Sequence, residues 1–149
     1  MLQLDGAQFT VGRSRFVDRL PGTVEGSARI YVKVVPDNLG QPVLAALDTG
    51  APWCVFEPEI ADAIGLLDPV EVPTRLRAWS GEWDGHLKRV LVTIPADDGE
   101  GESLEVEATV FVCPDWPAGM NFLGYSGLLE RIRFAIDSQE NFFYFGPSD

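Results

Sequence analysis

Asp48 is the residue of this sequence best placed to do chemistry. It closes the apolar run Val43-Leu44-Ala45-Ala46-Leu47 and opens Thr49-Gly50-Ala51. An acid at the end of a buried strand is unusual, because a desolvated carboxylate is costly unless it is paired or hydrogen-bonded. Its neighbours can compensate. Thr49 supplies a hydroxyl that can lock the turn. Gly50 lets the backbone approach closely enough for its N–H to reach the carboxylate. Ala51 is small and leaves room for a ligand. A carboxylate so held can serve as a general acid or base. Asp and Gly are also common turn residues, so these residues alone leave a plain strand-ending turn open.

The other chemistry-bearing residues form no such arrangement. His86 is the single histidine. A Ser–His–Asp triad would have to be built around it, and no nucleophile elbow accompanies it. One His and two Cys that stand 59 residues apart lack the spacing of zinc ligands, so no metal is expected. There is no glycine-rich phosphate loop, and no cofactor is expected. Cys54 and Cys113 are too few for a disulfide framework; one bridge is open to them, but they read as buried packing thiols of a reducing compartment, the cytoplasm. Cys54 falls close enough after Asp48 to sit near it.

Composition narrows the partners. The chain has 149 residues, enough for one domain with a real core. Acids outnumber bases by 23 to 11, a net charge of −12. Such a chain repels phosphate backbones, so nucleic acid is not an expected partner. No segment approaches the roughly 18 uninterrupted apolar residues of a membrane span. Met1-Leu2-Gln3-Leu4-Asp5 lacks the basic patch and apolar run of a signal peptide.

The elements that must position Asp48 are mostly strands. Residues 1–27, with glycines at 6, 12, 22 and 26, read as an arm or as irregular strands. Ile30, Val32 and Val34 alternate with Arg29, Tyr31 and Lys33, the period of a half-buried strand. Pro36 to Gly40 supplies turn chemistry. Val43 to Leu47 is apolar without a break, as in a strand buried on both faces. Trp53 to Phe56 is a further short strand. Pro58 opens a helix with Ile60, Ala61 and Ile64 on one face, and Gly65 stops it. Val70 to Arg77 and Leu87 to Ile94 form a long hairpin, with Ala78 to Gly85 as a glycine-containing connection.

Pro95 to Ser103 is an acidic loop. Leu104, Val106, Ala108, Val110 and Val112 then alternate with Glu105, Glu107 and Thr109. A loop over 114–121 leads into Phe122-Leu123-Gly124. Leu128, Leu129 and Ile132 have helical spacing, and strands follow around Phe134–Ile136 and Phe142–Phe145. Many short strands, two short helices and closely spaced turns predict a mainly antiparallel β-barrel or sandwich.

The order and spacing of three pieces resemble the retropepsin-like, single-lobe aspartic proteases. They are Leu47-Asp48-Thr49-Gly50-Ala51, the hairpin from Val70 to Ile94, and Phe122-Leu123-Gly124 leading into Gly127-Leu128-Leu129-Glu130-Arg131-Ile132. The resemblance covers roughly residues 28 to 146, and the tail of the chain is more similar to members encoded in bacterial genomes than to viral ones. It implies a closed acid-protease-type β-barrel with a flap hairpin and one or two short helices. Residues 1–27 would then be an N-terminal arm, open to forming dimer-interface strands, and 28–149 the protease domain. The resemblance implies that Asp48, Thr49 and Gly50 are catalytic, with Phe122, Leu123 and Gly124 packed beneath them as support. Ala51, Trp79, Ser80 and Gly81 would meet substrate. Trp79 would cover it and exclude water, although an exposed turn with a packed Trp fits the same residues. Arg75, Arg77, Lys88 and Arg89 on the hairpin could attract an acidic peptide or simply solvate strand faces.

Peptide hydrolysis by this chemistry needs two carboxylates about one water. Asp5-Gly6 and Asp84-Gly85 lack both the Thr and the apolar strand, and Asp97 and Asp98 sit in an acidic loop. One chain therefore offers one such aspartate, and the implied enzyme is a homodimeric aspartic endopeptidase whose two Asp48 residues meet across a twofold axis. The regions free to build that contact are the arm and the C-terminal strand. The sequence departs from viral members in two places. Tyr125 and Ser126 stand where Arg and then Asp or Asn are usual, and Pro52-Trp53-Cys54 stand where an acid is usual. That departure motivates the alternative of a non-catalytic acid-protease fold serving dimerisation or peptide binding. An unrelated β-barrel for small ligands would instead be monomeric.

Overall fold

The structure, a computed structural model, describes residues 1–23, 29–67, 73–78 and 81–149. In chain order its elements are β1 (Gln3–Leu4), β2 (Ala7–Gln8), β3 (Gly12–Arg15), β4 (Tyr31–Pro36), β5 (Val43–Asp48), β6 (Cys54–Val55), α1 (Pro58–Ala63), β7 (Pro73–Ala78), β8 (Gly81–Ile94), β9 (Leu104–Val112), β10 (Phe122–Gly124), a short 3-10 helix (Leu129–Arg131), β11 (Ile132–Asp137) and β12 (Phe142–Pro147). The fold is mainly β and built on a closed barrel. The large sheet runs β4-β5-β10-β6-β9-β8-β7, and a further pairing of β4 with β8 closes it into a ring, with β7 attached to β8 outside that ring. Val35 opposite Thr93 and Pro36 opposite Val92 make that closure. Closure pairs the edge of β4 that an open sheet would leave exposed, while β7 keeps one edge without a strand partner among the described residues.

The barrel strands are apolar on both faces because each face has its own cluster to fill. Successive side chains of a strand point to opposite sides. Ala45, Cys54, Leu123, Ala108 and Val110 join the main core with Val32, Val92 and Phe143. Their neighbours Ala46, Val55, Phe122 and Phe111 instead join Leu76, Cys113 and Trp116 in a second cluster. The unbroken apolar run of β5 follows from this division. So does the change in β9, where strict alternation gives way at Phe111 to burial on both sides.

The β7–β8 hairpin is tighter than the sequence predicts. Ala78 pairs with Gly81, so the connection reduces to positions 79 and 80. Gly81 to Gly85 extend β8 rather than forming the connection. Charge and aromatic packing hold them there in place of an apolar period. Arg75 pairs with Asp84 at 2.9 Å and Arg77 with Glu82 at 2.8 Å across the two strands. Trp83 packs edge-on against Trp116 with ring centroids 5.2 Å apart. The expected start of this hairpin at Val70–Val72 lies outside the described residues.

The helix opens at Pro58 and ends before Gly65, whose φ of +77° is readily adopted only by glycine. The helical spacing at Leu128–Ile132 resolves into the single 3-10 turn. β12 lies between β11 and β3, so both its edges are paired within the chain, and Phe142, Phe143 and Phe145 are buried. Arg13 on β3 lies 3.9 Å above the Phe142 ring and donates to the Tyr144 hydroxyl at 2.7 Å. No helix among the described residues is long and apolar enough to cross a membrane.

Candidate active site

β5 and β10 run parallel, with Ala46 beside Phe122, Leu47 beside Leu123 and Asp48 beside Gly124. Asp48 thus ends a central strand and falls on the face that carries the second apolar cluster. Its side chain is half-buried. Gly50 N–H donates to Asp48 Oδ1 at 2.9 Å. The turn itself is closed by backbone groups, with Ala51 N–H donating to the Asp48 carbonyl at 3.1 Å. Thr49 is exposed and takes no part in that closure.

A second set of backbone bonds ties this turn to the segment after β10. Tyr125 N–H donates to the Ala51 carbonyl at 2.7 Å, and Gly127 N–H to the Pro52 carbonyl at 2.8 Å. Phe122, Leu123 and Gly124 are all buried beside the Asp48 strand. The contact is close enough to require glycine twice. A Cβ on Gly124 would stand 2.3 Å from the Trp53 carbonyl oxygen, and one on Gly127 would stand 2.6 Å from that of Thr109. Tyr125 and Ser126, the two departures from the viral pattern, are both exposed on the rim.

Asp48, Gly50 and Ala51 border a cavity of about 580 Å³. Val55, Leu76, Trp116, Met120 and Phe122 make its apolar side, and Arg29 and Arg77 line it as well. The volume falls in the range of ordinary ligand sites. Trp116 is held by its indole N–H, which donates to the Met120 carbonyl at 2.7 Å, and its ring meets Phe122 edge-on at 6.1 Å. Trp83, Trp116 and Phe122 therefore form an aromatic line from the hairpin to the strand beside Asp48.

Gly81 opens β8 at φ +130°. Trp79 and Ser80 lie outside the described residues. His86 does not line the Asp48 cavity; its Nε2 lies 3.3 Å from the Leu66 carbonyl. Cys54 and Cys113 are free and buried. Burial pushes the Cys54 thiol up to about 12, against the pull of a hydrogen bond from the Gly124 backbone. It is a packing group beneath the site rather than a nucleophile. Among the described residues no cluster of His, Cys, Asp and Glu is suited to a metal ion.

Sequence reasoning missed much of the cavity wall. Arg29 precedes a strand, Leu76 and Ala78 lie on β7, and Trp116 and Met120 lie in a loop. Only the fold brings them to Asp48. The unusual density of Trp, Met and Phe over 116–122 is the one signal that could have pointed there.

No protein-family model and no curated protein matches the chain. Among solved structures, the crystal structure of a retropepsin-like aspartic protease from Rickettsia conorii is similar to it. The TM-score is 0.57 and the sequence identity 20%, over 90% of this chain and 98% of that one. At that identity the likeness shows the fold, and the chain has the fold of retropepsin-like aspartic proteases.

Proposed function

We propose that the protein is an aspartic endopeptidase acting as a homodimer, with Asp48 of each chain forming a dyad that shares one proton. One observation carries this reading. A carboxylate held by the Gly50 N–H borders a substrate-sized, largely apolar cavity, and among the described residues Asp48 is the only acid lining it. A second Asp48 is the simplest source of the missing carboxylate. Thr49, Gly50, Pro52, Tyr125 and Ser126 leave an exposed rim around the turn for a second copy to meet. Because β11 and β3 already flank β12, this rim is the surface proposed for the contact, rather than an exchange of terminal strands.

The chemistry follows from placing two like charges together. Carboxylates about 3 Å apart cannot both ionise, so the pair holds one proton. The ionised member takes a proton from the attacking water, and the protonated member donates to the carbonyl oxygen of the scissile bond. The apparent pKa values then belong to the dyad. In this reading the β7–β8 hairpin is the flap, with Trp79, Ser80 and Gly81 over the substrate and Ala51 leaving space for its backbone. Phe122, Leu123 and Gly124 support the catalytic turn.

Replacing Asp48 by Asn tests the proposal. Peptide cleavage should be lost, while the melting temperature and the dimer seen by sedimentation stay near those of the parent. A variant that cleaves as fast as the parent would overturn the mechanism.

A further inference from the structure

We infer that the cavity takes a peptide carrying a carboxylate side chain within two residues of a large apolar one, and that Arg29 recognises the carboxylate. This deepens the reading above and rests on it for the cavity being the substrate site. Arg29 stands one step before Ile30, whose carbonyl accepts the Leu47 N–H at 3.0 Å. It therefore arrives alongside the Asp48 end of β5. Its guanidinium lies over the Phe122 ring, 5.0 Å from the centroid, and lines the same cavity as Asp48. Stacking on an aromatic face leaves the planar N–H edge of an arginine directed sideways, the geometry that receives a carboxylate. With five donors, the group can keep neighbours within the chain and still present a pair of N–H groups to a ligand.

The charge distribution singles this residue out. The chain carries a net charge of −12, yet among the described residues the only carboxylate lining the cavity is Asp48, against two guanidiniums. One of these, Arg77, is largely exposed, where water weakens any pair it makes. Arg29 is half-buried, beside an apolar surface where a charge-assisted pair is worth more than it is in open water. The apolar wall of Val55, Leu76, Trp116, Met120 and Phe122 accommodates a bulky side chain. In an extended peptide, side chains on one face repeat every two residues, about 7 Å apart. An acid and a bulky apolar residue at such spacing would reach Arg29 and the apolar wall together.

The test measures binding on the full-length Asp48→Asn protein, so that cleavage does not intrude. Peptides with a central Phe or Leu are compared in pairs that differ only by Glu against Gln at the positions one and two residues to either side. Calorimetry at neutral pH should show the Glu peptide binding about tenfold tighter than its Gln twin at one of those positions. Adding Arg29→Met should bring the ratio to about one. Arg29→Lys, which keeps the charge but not the fork, should retain only part of it, and carries the test if the Met variant fails to fold. Equal binding of the twins, no binding of any peptide, or a ratio that survives Arg29→Met overturns the inference. A Glu preference controlled by Arg29 in a protein that cleaves nothing with Asp48 intact would sink the peptidase reading alone. Cleavage without any Glu preference would sink this one alone.

Discussion

Gly124 stands beside Asp48 in the parallel register of β10 and β5, and its missing side chain is what lets the Trp53 backbone pass against it. A Cβ there would lie 2.3 Å from the Trp53 carbonyl oxygen and 2.6 Å from the Trp53 nitrogen. These are backbone atoms, so no rotamer change can relieve the clash. Gly124→Ala is expected to destabilise the fold by at least about 2 kcal/mol, the cost of forcing extra volume into a packed site. Urea unfolding would show this as a lower midpoint at an unchanged slope. An unchanged midpoint would mean that the strand has slack that the close approach does not suggest.

Asn121, one residue before β10, ties three segments together at the edge of the cavity. It is buried, and its Oδ1 accepts the Glu57 N–H at 2.8 Å while its amide donates to the Leu44 carbonyl at 3.3 Å. Asn121→Leu keeps the approximate volume and strips both backbone groups of this partner. Buried groups left unsatisfied cost about 1–3 kcal/mol each, so a loss of about 2 kcal/mol or more is expected. Thermal unfolding followed by circular dichroism gives the answer. A variant as stable as the parent would show that water or another group replaces the amide.

What the sequence disclosed and what it hid divide along physical lines. β9 was legible because Val106, Ala108 and Val110 point to one core while Glu105 and Glu107 face solvent. β5 was legible as doubly buried because Ala45 and Ala46 serve different clusters. Gly81 to Gly85 were misread as a connection because their strand is held by Arg75–Asp84, Arg77–Glu82 and Trp83–Trp116 contacts, none of which leaves an apolar period. Gly85 looked like a turn residue. Its actual constraint is a close approach, since a Cβ would stand 2.2 Å from the Val112 carbonyl. The motif around Asp48 was visible because its residues adjoin in sequence. The cavity wall was not, because Arg29 and Trp116 reach it from distant segments.

Both cysteines should resist thiol reagents in the folded protein. Cys54 is fully buried, and its thiol is pushed up to about 12; burial raises Cys113 as well. Because the thiolate is the reactive form, at pH 8 only about one Cys54 in ten thousand would be ionised. A disulfide reagent at pH 8 should label no cysteine rapidly in buffer and both in denaturant. Fast labelling of a Cys54-only variant under native conditions would mean that β6 opens readily and that the support beneath Asp48 is loose.

Asp97 should make stability depend on acidity. Burial disfavours its charged form, but hydrogen bonds from the Lys33 ammonium and the Arg15 backbone N–H outweigh that and hold the carboxyl below its ordinary value. These bonds join the acidic loop to β4 of the barrel and to β3 of the terminal sheet. A carboxyl depressed by folding stabilises the native state above its unfolded value of about 3.9, and that contribution fades as pH falls through the folded value. Asp97→Asn should therefore melt at a lower temperature than the parent at pH 7, with the gap closing as the pH falls below about 4. Both partners are partly exposed, so salt should narrow the neutral-pH gap as well. A gap that stays constant from pH 7 to pH 3 would show that the substitution acts through packing and that the Lys33 pair contributes nothing of its own.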